Sequence, residues 1–285
     1  MNHKLGFDLS LFLWNQVITI TIVTLVSFLA VFRQKLLGFM IFTLSVFVGI
    51  HFLSQSNHDL VSIMGFAKMI LLLPFGLGVV IGYVCLPESK QQKFLPSFNR
   101  YINFAVLANI FVMIFSPDGG TYRGILSRFL CFFLIIWLLQ EMAKVRFQTT
   151  ETKLNIFTFN SSPLAWIYCH AGYRIVLLSL PTFSSSYYLL LEPMSILVMV
   201  GLYHLNKKRN PLSYYFGLAD TIVVTTLTVL MRFPFLPPFH LNGPYLTNFS
   251  EQQWDMILIP IQLIVTGFVL RAIYINFLLS KRMNK

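Results

Sequence analysis

The chain has 285 residues, 56% of them hydrophobic and only 11% charged, with a mean hydropathy of +0.71, where soluble domains carry about 25% charged residues. That composition excludes an ordinary soluble domain and predicts an all-α, polytopic membrane helix bundle, read as a single transmembrane domain over residues 1–285. The formal net charge of +11 would suggest nucleic acid in a soluble protein; in so apolar a chain it reads as a topology signal, with the bilayer and not nucleic acid as the partner.

A helix needs about 20 apolar residues to cross the hydrocarbon core, because each residue rises about 1.5 Å and no water is there to satisfy a broken backbone. Nine segments qualify, or eight if the short fourth is left out: about 10–32, 37–54, 61–86, 101–116, 124–143, 164–181, 187–205, 212–236 and 254–279. The first is too long for a signal-peptide core and no small-residue cleavage pattern follows it, so it reads as a retained span. If the loops alternate sides, fourteen of the 21 basic residues fall on one side, among them Arg33, Lys90, Arg100, Lys144, Lys207, Arg209 and Lys281. The positive-inside rule makes that side cytoplasmic, with the amino terminus outside and the carboxy terminus inside. The expected location is an integral multi-pass position, in the endoplasmic reticulum if the chain is eukaryotic or the inner membrane if bacterial.

The outer connections are then 55–60, 117–123, 182–186 and 237–253. Gly119 and Gly120 read as a tight turn and not as a phosphate cradle, since no strand precedes them and no GK[ST] follows. Cys85, Cys131 and Cys169 show no CxxC spacing and read as buried small hydrophobes. Scattered histidines, with no HExxH or HxxxH box, nominate no metal site, and no cofactor is expected. Of the two sequons, Asn160-Ser-Ser and Asn248-Phe-Ser, only Asn248 falls on the outer side.

Ionisable groups in hydrocarbon cost a few kcal/mol or more each, so they face a partner, the bundle interior or a water-filled cavity. His170 and Arg174 lie one turn apart on the sixth span. Asp220 in the eighth and Arg271 in the ninth are expected at similar depth, roughly 10 to 15 Å from the cytoplasmic edge. A second set, Lys68 and Glu192 with His51, Arg128 and Arg232, lies nearer the outer face. Two readings stand side by side: ion pairs that fix helix packing, or a polar cavity that takes the head of a lipophilic molecule. His170, with a reference pKa near neutrality, suits a general base, or a histidine bonded to a neighbouring helix. Glu141, close to a cytoplasmic helix end, is expected in solvent.

Leu236-Pro-Pro-Phe239, Gly243-Pro-Tyr-Leu246 and Asn248-Phe249-Ser-Glu-Gln-Gln-Trp254-Asp255 together resemble the signature loop of wax-synthase-like membrane-bound O-acyltransferases. Phe249 and Trp254 keep the family's spacing. Ser250 stands where the family has its first Trp, Gln252 and Gln253 replace basic residues, and no histidine follows Trp254. The resemblance implies a membrane enzyme that passes an acyl or acetyl group from a thioester donor to a hydroxyl on a lipophilic acceptor. His170 would then be the base, and Arg174 or Arg271 an oxyanion or phosphate partner. Two other classes remain open: a terpenoid cyclase using Asp220 or Glu192 as a buried acid, and a transporter or channel lined by the ion pairs.

Overall fold

The computed structural model describes residues 9–54, 63, 66, 76–78, 80–87, 89–90, 93–94, 97, 104, 107–108, 110–115, 118–144, 163–180, 191–205 and 250–283. The regular elements among them are all helical: α1 (Leu9–Phe32), α2 (Gln34–Ser54), a π turn (Ile81–Cys85), α3 (Tyr122–Lys144), α4 (Leu164–Leu178), α5 (Leu191–Leu205) and α6 (Glu251–Met283). Each α-helix begins and ends within a few residues of an expected span. The expected span 212–236 lies outside the described residues, as does most of 61–75 and 98–109. Among the described residues, three helical stretches are long and apolar enough to cross a membrane: Lys35–Ser54, Tyr122–Ala143 and Glu251–Lys281.

Local signals set the helix ends. The Ser250 hydroxyl accepts from Gln253 N, and the Gln253 side chain accepts from Ser250 N. This reciprocal capping box starts α6 at Glu251, three residues before the expected boundary. Thr121 caps α3 in the same manner, its hydroxyl accepting from Gly124 N at 3.2 Å. Leu86, extended at φ −92° and ψ 132°, closes the π turn because it precedes Pro87, whose ring disfavours the helical region there.

Between α3 and α6 one stripe of buried positions on each helix follows a four-three spacing. On α3 they are Arg123, Ser127, Leu130, Leu134 and Trp137; on α6, Leu258, Gln262, Val269 and Asn276, with Val265 and Ala272 partly buried between them. That is the narrow seam of a coiled-coil-like pair, which keeps one face of each helix on the other. Hydrogen bonds fix its register. Arg123 meets Asp255, Ser127 meets Gln262, Gln140 meets the Ile273 carbonyl and Glu141 meets Asn276, at sequence separations of 132, 135, 133 and 135 residues. A constant separation along two helices means that they run parallel.

Helix α4 runs the other way. Its partners on α3 are 56 residues apart at Arg123 and Ser179 but only 32 at Leu134 and Trp166. It is buried on most sides, from Trp166 through Tyr173 to Leu177 and Leu180, wedged between the α3–α6 pair and α5, while α5 packs on α1 and α1 on α2. Expected spans five and nine point the same way and span six the opposite way, the relation that α3, α6 and α4 have here. A second antiparallel contact joins α2 to the chain that follows it. Phe52 stacks on Phe66 with centroids 4.1 Å apart, and a Cβ on Gly76 would lie 2.6 Å from the Phe42 backbone nitrogen. Only glycine permits that approach, the usual role of small residues between membrane helices.

Within the seam, Gln262 Nε2 donates to Ser127 Oγ at 2.9 Å and to the Arg123 carbonyl at 3.3 Å. Interhelical bonds of this kind couple by about 0.6 kcal/mol on average in membranes, because the separated helices find other partners. A double-mutant cycle of Ser127→Ala and Gln262→Leu, read by unfolding in micelles, is expected to give a coupling of about that size. A coupling indistinguishable from zero would show that the bond adds nothing to the seam.

Candidate functional site

Two polar centres stand out among the described residues. The first lies where α3 and α6 begin and α4 ends. Arg123 is fully buried, with 0% of its side chain exposed, and its guanidinium donates to Asp255 Oδ1 at 2.6 Å, to Glu251 Oε2, to the Glu251 and Ser179 carbonyls and to Ser179 Oγ. The geometry has an electrostatic reason. The carbonyl end of α4 carries partial negative charge and favours a cation, while the amino ends of α3 and α6 favour the two carboxylates. Nearby, Asp118 ties the entering turn: Oδ1 accepts from Gly120 N, and Oδ2 pairs with Arg128 at 3.0 Å. Gly119 and Gly120 have φ of 63° and 71°, the tight turn expected from PDGGTYR. Residues 118–123 and 250–255 therefore meet at one end of the bundle.

The second centre is a file of side chains on α4. His170 is buried, stacked flat on Trp166 with ring centroids 5.0 Å apart, and tilted against Tyr173 at 5.8 Å. Trp166 is fixed in turn by donating Nε1 to the Leu134 carbonyl at 2.9 Å. Arg174, also buried, follows one turn after His170. The hydroxyl of Tyr173 is buried and faces the thiol of Cys131. An imidazole, a phenol and a guanidinium thus share the interior of the helix-packed region, beside the thiol of buried Cys131.

The other expected site residues are placed as follows. Asp220 and Lys68 lie outside the described residues, and of Glu192 only its place in the first turn of α5 is described. Arg271 is exposed, on the face of α6 opposite the seam. It is also displaced in level: a Cβ on Gly172 would touch Val265, which sets Arg174 near residue 263 of the antiparallel α6, roughly 12 Å from Arg271 at 1.5 Å per residue. The expected common level of Arg174 and Arg271 is therefore not what the helix register gives, because Leu164, at the start of α4, stands level with about residue 273 of α6 and not with the end of that helix. Glu141, expected in solvent, is half-buried and accepts from Trp137 Nε1 at 3.1 Å and Asn276 Nδ2 at 2.7 Å.

The sequence reading missed the Arg123 centre. Glu251 and Asp255 sit one turn apart on one helix face and Arg123 opens another helix on the same side, but nothing local says that the two helices are neighbours. Among the described residues no group of three His, Cys, Asp or Glu side chains is arranged to hold a metal ion.

Among the described residues the protein is all-helical, with three helices long and apolar enough to cross a membrane, the class of a helical protein built for a bilayer. No protein-family model, curated protein or solved structure matches the chain.

Proposed function

We propose that the protein crosses the membrane nine times with its amino terminus outside, and acts as a membrane-embedded enzyme on a lipophilic substrate, transferring an acyl or acetyl group to a hydroxyl. The observation that carries this reading is the His170 file: a buried imidazole held between Trp166 and Tyr173, with the Arg174 guanidinium one turn away. The parallel α3–α6 pair and antiparallel α4 support the nine-span topology, since an even number of crossings must separate α4 from α6, and a seventh and an eighth span satisfy it. The likeness of the loop before α6 to O-acyltransferases supplies the reaction class.

In this reading His170 removes the acceptor's hydroxyl proton as its oxygen attacks the carbonyl carbon of an acyl thioester. The C–O bond forms, negative charge moves to the carbonyl oxygen, and Arg174 stabilises that oxyanion. Collapse of the tetrahedral intermediate breaks the C–S bond, and the thiolate leaves with the proton from His170. The products are an ester and a free thiol. Asp220 and Glu192 are not needed for this sequence; in a cyclase they would be.

Mass spectrometry of lipid extracts from cells with and without the chain, followed by assay of purified protein with an acyl thioester, tests the proposal. His170→Ala is expected to lower the transfer rate by about 10²- to 10⁴-fold, the usual contribution of a positioned acid–base group, with thermal stability monitored in parallel. Unchanged transfer by a folded His170→Ala protein would remove His170 from the mechanism. Conversion of a polyprenyl substrate without any thioester would favour the cyclase.

A further inference from the structure

The outward face of α6 carries its own four-three file, opposite the seam: Pro260, Ile264, Gly267, Arg271, Tyr274 and Leu278, all exposed. A purely lipid-facing helix has no use for two of these. Gly267 has nothing within 4 Å of the position a Cβ would take, so it leaves a notch in the helix surface at a cost in helix propensity of about 1 kcal/mol relative to alanine. Arg271 is an exposed cation inside an apolar stretch that runs from Met256 to Leu279. Desolvating it in hydrocarbon costs a few kcal/mol or more unless an anion meets it.

The depth of Arg271 identifies the anion. It lies eight residues before Leu279, about 12 Å along the axis, whereas the apolar stretch of about 36 Å exceeds a hydrocarbon core of about 30 Å. The excess brings Arg271 within about 6 to 12 Å of the boundary, within the range that a long side chain spans by snorkelling. Tyr274 follows it toward that boundary, the position where aromatic anchors collect. Lys281, over the Phe277 ring at 4.5 Å, ends the apolar stretch with a second cation, which belongs at headgroup level. Fixed cations at that level meet phosphate, and a guanidinium binds it bidentately.

We infer that the Gly267–Arg271–Tyr274 face of α6 is a binding site for one anionic phospholipid of the leaflet at the carboxy-terminal end. Its phosphate sits on Arg271, and one acyl chain runs over the notch at Gly267 and on between Leu263 and Ile264. The site is separate from the His170 file. That this leaflet is the cytoplasmic one rests on the topology proposed above; the binding itself does not.

Native mass spectrometry of the full chain in micelles titrated with dioleoyl-phosphatidylglycerol or dioleoyl-phosphatidylcholine tests it. The parent is expected to hold one phosphatidylglycerol about five- to tenfold more tightly than phosphatidylcholine, the preference one arginine provides near an anionic headgroup. Arg271→Gln should abolish that preference, Arg271→Lys retain part of it, and Gly267→Leu weaken both lipids. Equal binding of the two lipids by the parent, or a preference untouched by Arg271→Gln, would overturn the inference. So would efficient disulfide formation in membranes between Asp220→Cys and Arg271→Cys, because the chain's own carboxylate would then cover this face. Acyl transfer plays no part in the readout, so the two proposals fail independently.

Discussion

Asp255→Ala is expected to destabilise the protein by about 3 kcal/mol or more, and Arg123→Ala by about 3 to 5 kcal/mol, the range for breaking a buried ion pair on one side. The asymmetry within the triad decides the ranking. Asp255 is largely buried, its side chain 17% exposed, whereas Glu251 is 53% exposed. Without Asp255, a guanidinium with no access to solvent keeps one wet carboxylate, two carbonyls and the Ser179 hydroxyl. Without Glu251, it keeps its dry carboxylate, so Glu251→Ala is expected to cost within about 1 kcal/mol, like other exposed pairs.

Because the penalty comes from a stranded charge, removing both charges should relieve it. Arg123→Met with Asp255→Leu replaces the pair by apolar side chains of similar reach and is expected to recover most of what either alanine variant loses. Reversible unfolding in mixed micelles, with the four variants and the parent compared at one lipid-to-detergent ratio, measures this. Equal losses for Asp255→Ala and Glu251→Ala would show that burial does not control the centre. The consequence for the fold is specific: Arg123 holds the start of α6 against the start of α3 and the end of α4, so its loss should loosen that end first.

The apolar helices were legible in the sequence because hydropathy is a local property. Spans near 10–32, 124–143 and 164–181 need only a run of residues long enough for the membrane, and the helices match them within a few positions. The directions of α3, α4 and α6 relative to one another were legible too, through the order of the spans. The partnership of α3 and α6 was not, although Gln262 and Asn276 fall on one stripe of α6 and Ser127 and Glu141 on one stripe of α3. Such stripes say which face is polar, but not which of several helices will meet it. The same gap explains Glu141: a carboxylate near a helix end looks solvated until Asn276 arrives from a helix 135 residues away. For the candidate site, adjacency on one helix was readable, as His170 and Arg174 show. Level between helices was not, as the separation of Arg174 from Arg271 shows, because register depends on where side chains interlock.

Gly124→Ala is expected to be nearly as damaging as the loss of Asp255, for a reason of space and not of charge. A Cβ at this position would run into the Asp118 carbonyl oxygen and lie 2.7 Å from the Asp118 Cα. Those are backbone atoms, so no side-chain rotation can make room. The turn that holds them has little freedom to move: Gly119 and Gly120 are already in the left-handed region, and the Thr121 backbone N–H and hydroxyl both donate to the same Asp118 carbonyl, at 3.3 and 2.9 Å. Displacing Asp118 would also pull it from Arg128 and open the Thr121 cap on Gly124. Overpacking of this kind costs about 1 to 3 kcal/mol, and the lost cap about 1 kcal/mol more, so a total of about 3 kcal/mol is expected. Gly201→Ala is the control. Nothing lies within 4 Å of its Cβ position, and the gain in helix propensity, up to about 1 kcal/mol, makes that variant neutral or more stable. Thermal unfolding of the two variants beside the parent should separate them by several degrees in opposite directions. If Gly124→Ala unfolds with the parent, the Asp118 turn yields at no cost and is not a fixed part of the end that Arg123 closes.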